Sequence, residues 1–231
     1  MKIRAEGFTE VADITPQTRL RRRVNRLGAQ VDLFGRETVD LAIDESFATA
    51  KRIALDERSW LDIVPGWISG AAALLERLTI AVPWRQHDRR MFDQVVREPR
   101  LTAQYRSLTR VPEPTLLDAA RVLSQHYGVP YDGLWLNLYR DGRDSTAWHR
   151  DRFACQRTEC VVPVLTLGAT RRFLIKPRDG GSSRSFRPQS GDLIVMGGRA
   201  QEDWVHSVPK EPGITELRIS VNFQSSAQAS R

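Results

Sequence analysis

From residue 131 onward the chain is cut into short apolar or alternating runs, and this limits the fold more than any other feature. The runs are Leu134–Tyr139, Val161–Leu167, Arg172–Lys176, Asp192–Met196 and Leu217–Gln224, separated by Gly, Pro, Asp and Ser. Each is long enough for a strand and too short for a stable helix. Several such strands at close spacing predict an all-β sandwich or barrel, and a jelly roll is the natural candidate. The last run alternates cleanly: Leu217, Ile219, Val221 and Phe223 share one side, while Arg218, Ser220, Asn222 and Gln224 share the other. In Leu134–Tyr139 the even positions are all leucine, and Trp135, Asn137 and Tyr139 take the opposite face. Such a polar face suits either an edge strand wetted by solvent or the wall of a site.

The first half reads differently. Ser69 is placed to cap a helix running to Ile80, with Leu74, Leu75 and Leu78 on one face. Thr115 is placed to cap a second helix to Tyr127, striped by Leu116, Ala120 and Leu123 and stopped by Gly128. The expected class is therefore α+β, a double-stranded β-helix (jelly roll) core with N-terminal helices packed on it. The expected organisation is a partly irregular extension over 1–55, a helical or lid region over 56–130, and the jelly-roll core over 131–226. The extension carries Arg19, Arg21, Arg22, Arg23 and Arg26, which suit a solvated helical face or a nucleic-acid-binding arm.

Net charge is +7, carried largely by arginine. Such an excess favours polyanionic partners, because each neutralised phosphate releases counterions and a guanidinium grips phosphate bidentately. A basic protein with no nucleic-acid partner fits the charge equally well. No apolar run approaches the ~18–20 residues that span a bilayer, and the N-terminal residues lack the apolar stretch of a secretory signal. Cys155 and Cys160 are too few for a disulfide framework, so two reduced thiols and a cytoplasmic location are expected.

The four histidines are His87, His126, His149 and His206. In Trp148-His149-Arg150-Asp151 an imidazole and a carboxylate stand two apart, on one side of an extended chain. Alone this is as readily a surface ion pair as a ligand pair. His206 and Arg218 raise its value. Two histidines and one carboxylate form the facial triad of non-haem Fe(II) oxygenases. An arginine on the inner face of a small barrel is costly unless an anion pairs it, and the distal carboxylate of 2-oxoglutarate is such an anion.

With these residues in hand, the sequence resembles the AlkB family of nucleic-acid dealkylating dioxygenases over about residues 60–224. The likeness rests on Asn137-Leu138-Tyr139-Arg140-Asp141-Gly142, on Trp148-His149-Arg150-Asp151, and on Leu167-Gly168 with Arg171-Arg172-Phe173. It continues through the Gly191–Met196 run, His206-Ser207-Val208-Pro209-Lys210 and Arg218-Ile219-Ser220. Glu98–Tyr105 is similar to the family segment that precedes the nucleotide-recognition lid.

The resemblance implies iron on His149, Asp151 and His206. It implies 2-oxoglutarate on Asn137, Tyr139 and Arg218, with Ser220 and Gln224 completing that face. It implies O2 as oxidant and, as reaction, the demethylation of N-alkylated bases in DNA or RNA with release of aldehyde, succinate and CO2. The substrate would be single-stranded or flipped out, since a base stacked in a duplex cannot reach the metal. Tyr105, Trp135 and His149 are candidates to stack on it, or else pack the core; Arg171 and Arg172 are candidates to touch phosphate. A monomer is expected.

This sequence departs from the family in three places. Ser220 stands where an asparagine is frequent, Gln224 where a second arginine is frequent, and Arg152-Phe153 where an acidic residue often follows the metal motif. Rival readings are an oxygenase acting on RNA, protein or a small molecule, a cupin-type zinc or manganese protein, and a non-catalytic nucleic-acid-binding jelly roll.

Overall fold

The computed structural model describes residues 30–31, 37–38, 40–91, 94–151 and 154–229. The basic cluster at 19–26 and the pair Arg152-Phe153 lie outside them. The chain divides into two compact units, Met1–Glu37 and Thr38–Arg231. In the first, the described residues are Gln30–Val31 and Glu37. The second unit is layered.

Its largest sheet has seven strands in the order Lys51–Ala54, Ser59–Val64, Leu193–Gly198, Val162–Gly168, Arg218–Gln224, Gly133–Tyr139, Leu101–Tyr105. All its pairings are antiparallel. A four-stranded sheet runs Thr146–His149, Trp204–Val208, Phe173–Pro177, Arg184–Phe186. The region expected to be helical thus supplies strands as well. Ser59–Val64 and Leu101–Tyr105 of that region, and Lys51–Ala54 of the expected extension, are hydrogen-bonded into the large sheet, on either side of what the later residues build.

The period-two pattern decides which residues face which layer. Leu134, Leu136, Leu138, Ile219, Val221 and Phe223 are buried in one cluster with Leu74, Leu78, Leu116, Ala120 and Leu123 of the helices Ala71–Ala81 and Pro114–Tyr127. A second cluster joins Val162, Val164, Ile194 and Met196 of the large sheet to Phe173, Ile175 and Trp204 of the small one. Helices therefore cover one face of the large sheet and the small sheet covers part of the other. The remaining inner face is polar.

Both helix starts differ from the expected caps. The first helix is preceded by Gly70 in the left-handed region (φ 67°), while the Ser69 hydroxyl donates to the Asp40 carbonyl at 2.9 Å in a short strand pair. The second begins at Pro114, whose missing N–H costs nothing at that position. Glu113 caps it, its Oε1 accepting from the backbone N of Thr115 (3.3 Å) and from its hydroxyl (2.8 Å). Gly128 ends it as expected, at φ 67°.

The cysteines also correct the sequence reading. Cys155 and Cys160 form a disulfide across a short turn, Cα–Cα 5.9 Å, and both are buried in the second cluster. Spacing of five residues gives no such signal by itself; the turn after Asp151 brings the two side chains together.

Candidate metal centre

Thr146–His149 pairs with Trp204–Val208 so that His149 lies directly opposite His206, with an irregular register between Thr146 and His149. Opposed residues point to the same face, which brings two histidines remote in sequence side by side, with ring centroids 4.2 Å apart. Asp151 lies just past the strand end. Its two carboxylate oxygens are each 3.4 Å from an imidazole Nε2, Oδ1 from His149 and Oδ2 from His206. One ligand atom from each of the three lies within 4.8 Å of the others.

The surroundings hold these groups ready for a cation. His149 Nδ1 is 2.9 Å from the Ala147 carbonyl, so it carries the ring proton and leaves Nε2 with a lone pair. His206 is buried and packs against Phe173 at 5.4 Å. Burial, reinforced by the nearby His149, brings the His206 imidazole down to about 3 despite Asp151, so it is neutral and able to ligate. Burial alone would raise the Asp151 carboxyl; the two imidazoles and Gln201 outweigh it and bring it down to about 2. For His149, burial opposes the proton, but the hydrogen bond and charge of Asp151 prevail and raise it. Gln201 clamps the carboxylate residue from behind: its Oε1 accepts from the Asp151 backbone N at 2.8 Å, and its Nε2 reaches Oδ2 at 3.4 Å.

The polar inner face forms the rest of a cavity of about 790 Å³ that opens onto this cluster. At its depth lies Arg218, 2% exposed, with Nη2 donating to Thr166 Oγ1 at 3.2 Å and the guanidinium carbon 5.1 Å from the Tyr139 ring centre. Its Nε and Nη1 are buried without a hydrogen-bond partner among the described residues. Burial pushes the guanidinium down, yet an arginine stays charged in proteins. A buried cation with two orphaned donors is a costly arrangement that an anion such as a carboxylate resolves. The residues present therefore fit both a divalent metal and a carboxylate cosubstrate.

Asn137, Tyr139, Ser220, Gln224 and Trp135 all line the cavity, as does His87. The Tyr139 hydroxyl pairs with Thr146 Oγ1 at 2.8 Å, tying the two sheets together beside Arg218.

Three expected substrate contacts lie elsewhere. Tyr105 packs against the helix-side cluster, its hydroxyl buried, on the strand opposite Leu134. Arg171 is 1% exposed with every guanidinium nitrogen engaged by the carbonyls of Asp141, Asp144 and Pro209 or by Glu211, so burial closes it to phosphate. Arg172 is bound to Glu211 outside the cavity, at 3.2 Å. The sequence reading also missed three residues. Thr166 was legible as the inward-facing hydroxyl of Val162–Gly168. Arg100 and Gln201 carried no local signal.

Comparison with known proteins bears on the family and the fold. The model of the 2OG-Fe(II) oxygenase superfamily matches residues 62–223. Alpha-ketoglutarate-dependent dioxygenase alkB homolog 3 of Bos taurus is 32% identical over 185 residues, covering 71% of this chain and 65% of its own length. The Rattus norvegicus protein of the same name is 33% identical, with 71% and 63% covered. DNA oxidative demethylase ALKBH2 of Arabidopsis thaliana is 26% identical, with 82% and 69% covered. The chain thus spans just under two thirds of the length of the first of these relatives. Among solved structures, OsALKBH1 aligns with a TM-score of 0.53 at 13% identity, covering 76% of this chain and 100% of that one. A 2OG-Fe(II) oxygenase family oxidoreductase from Burkholderia pseudomallei aligns at 0.50 and 18%, with 71% and 84% covered. At such identities the structural likeness speaks for the jelly-roll fold alone.

Proposed function

We propose that this chain, which belongs to the 2OG-Fe(II) oxygenase superfamily and is similar to AlkB homologues, oxidatively removes alkyl groups from the bases of nucleic acid. Its cofactor set is Fe(II), 2-oxoglutarate and O2. The chemistry these supply is hydroxylation of an alkyl carbon on nitrogen, coupled to conversion of 2-oxoglutarate to succinate and CO2, after which aldehyde is lost.

The protein's share is positioning. His149, Asp151 and His206 hold the metal through two neutral nitrogens and one carboxylate. Gln201 keeps Asp151 from swinging away. Arg218 takes the distal carboxylate of the cosubstrate, with Tyr139, Asn137 and Ser220 along its length. Val164, Phe173, Ala154 and Val208 give the cavity apolar walls that exclude water. Trp135 offers a ring on which a base can stack.

The observation that carries the reading is the orphaned Arg218 guanidinium in the same cavity as the His149–Asp151–His206 cluster. A recessed metal site favours single-stranded or flipped-out substrate, and the net charge of +7 suits a phosphate backbone. We further propose a monomer in a reducing cytoplasm. That location now rests on the need to keep iron ferrous, because the Cys155–Cys160 bridge removes the argument from free thiols.

The test is mass spectrometry of short single strands of DNA and RNA bearing 1-methyladenine or 3-methylcytosine, with Fe(II), ascorbate, 2-oxoglutarate and O2. Loss of a methyl mass that needs every component and disappears in His149→Ala is expected. Succinate without loss of the methyl would retain the oxygenase and reject the substrate. Neither product from iron-loaded, folded protein would reject both.

A further inference from the structure

Asn137 lies on the cavity wall with its amide fixed at both ends. Its Oδ1 accepts from Arg100 Nε at 2.9 Å and from Trp135 Nε1 at 3.0 Å, and its Nδ2 donates to Ser220 Oγ at 3.1 Å. Guanidinium and indole nitrogens donate and cannot accept, so the reverse amide orientation would set two pairs of donors against each other. Both lone pairs of Oδ1 are used. Nδ2 keeps one hydrogen beyond the one given to Ser220, available to an acceptor in the cavity.

Arg100 itself lines this cavity, and its side chain is 15% exposed. Glu98 stands 3.8 Å from its Nη2, beyond hydrogen-bonding distance. The last strand offers no equivalent charge here: its inner face runs Arg218, Ser220, Asn222, Gln224, with the one cation at the far end of the cosubstrate. A dicarboxylate bound between Arg218 and a metal presents its second carboxylate away from Arg218, and Gln224, at the other end of the same strand, brings the cavity an amide and no charge.

We propose that Arg100 is a cosubstrate-binding residue, which locks the Asn137 amide and supplies the positive charge at the metal-side carboxylate of 2-oxoglutarate that Gln224 does not. The proposal rests on the oxygenase reading above. It makes the segment before the Leu101–Tyr105 strand part of the cosubstrate site, although that segment resembles one that shapes a substrate lid.

The test is anaerobic titration of 2-oxoglutarate into the Fe(II)-loaded protein, followed by the visible charge-transfer absorption of the metal–keto-acid chelate. Fe(II) affinity and melting temperature are recorded beside it. Arg100→Met is expected to weaken 2-oxoglutarate binding roughly tenfold or more, the scale of a lost charge-assisted hydrogen bond, with Fe(II) affinity unchanged. Arg100→Lys, which keeps the charge but not the fork, is expected to fall between. Gln224→Arg in the Arg100→Met background is expected to recover most of the loss, which repair of mere misfolding would not do. The proposal is overturned if Arg100→Met and Arg100→Lys both bind 2-oxoglutarate within twofold of wild type. Weaker binding of a methylated oligonucleotide in those variants would then assign Arg100 to the substrate. Wild type that binds Fe(II) but yields no chelate absorption would instead reject the oxygenase reading, and this proposal with it.

Discussion

Arg171 and Arg218 are both buried arginines with opposite chemical consequences. Arg171 is saturated: carbonyls of Asp141, Asp144 and Pro209 and the Glu211 carboxylate take its donors, pinning two loops together. Arg218 is left with orphaned donors facing a cavity. The first is structural; the second is the residue proposed to bind 2-oxoglutarate. Arg171→Ala leaves three carbonyls without their donor, while Glu211 keeps Arg172 and Arg187, and is expected to cost about 3 kcal/mol, read as a shifted midpoint in urea. Arg218→Ala is expected to cost less stability, because it relieves an uncompensated charge, while abolishing the effect of 2-oxoglutarate on the melting temperature.

The metal ligands set the response to acid. His206, lowered to about 3 from its ordinary value, lets the unfolded chain bind a proton first as pH falls below about 6.5. Stability is then lost progressively toward that lowered value. Asp151, lowered to about 2, adds stability above the ordinary carboxylate range that is lost as pH falls through its folded value. His149, raised, works in the opposite sense, contributing below about pH 6.5 and losing that contribution as pH rises through its folded value. Two of the three ligands destabilise in acid. Metal-free protein is expected to melt lower at about pH 4.5 than at neutral pH, and His206→Gln to flatten that dependence, measured by calorimetry.

At the scale of elements, two pairings make the site. The Gly133–Tyr139 strand aligns Asn137 with Ser220 and Tyr139 with Arg218, so the polar sides of two alternating strands coincide. The Thr146–His149 strand sets His149 against His206. Sliding either pair by one residue would turn the inner set outward. The turn that follows is closed by the Ala154 and Cys155 amides, both donating to the Asp151 carbonyl at 2.9 Å, and by the Cys155–Cys160 bridge. A bridge over so short a loop stabilises by roughly 2 kcal/mol through the unfolded chain. Cys155→Ser is expected to lose about that much in urea, wild type in dithiothreitol to lose the same, and the variant to lose nothing further on reduction.

For the whole molecule the question is how a +7 chain meets a polyanion. Arg97, Arg150 and His87 are among the residues that line the cavity. If strand backbone is held there by charge, the logarithm of oligonucleotide affinity should fall linearly with that of salt, by about 0.7 per phosphate engaged on a single strand. A fluorescence-anisotropy series that is flat in salt would reject electrostatic docking. Duplex carrying the same methylated base is expected to bind more weakly than single strand, by the cost of unpairing.

The residues that sequence alone placed correctly are those whose position follows from a period. Alternation set Arg218, Ser220 and Gln224 on one face and Trp135, Asn137 and Tyr139 on another, because strand geometry sends neighbouring side chains to opposite sides whatever surrounds them. The spacing of His149 and Asp151, with the ordered motifs around them, pointed to His206 as the third member. Composition placed neither Arg171 nor the cysteines, since burial and partner atoms decide whether an arginine is saturated or a thiol bridged. Arg100 and Gln201 were invisible for the same reason: each reaches the site from a segment far along the chain, 37 residues from Asn137 and 50 from Asp151. Local chemistry follows from local order. Which donors meet which acceptors across the two sheets was decided only when the sheets came together.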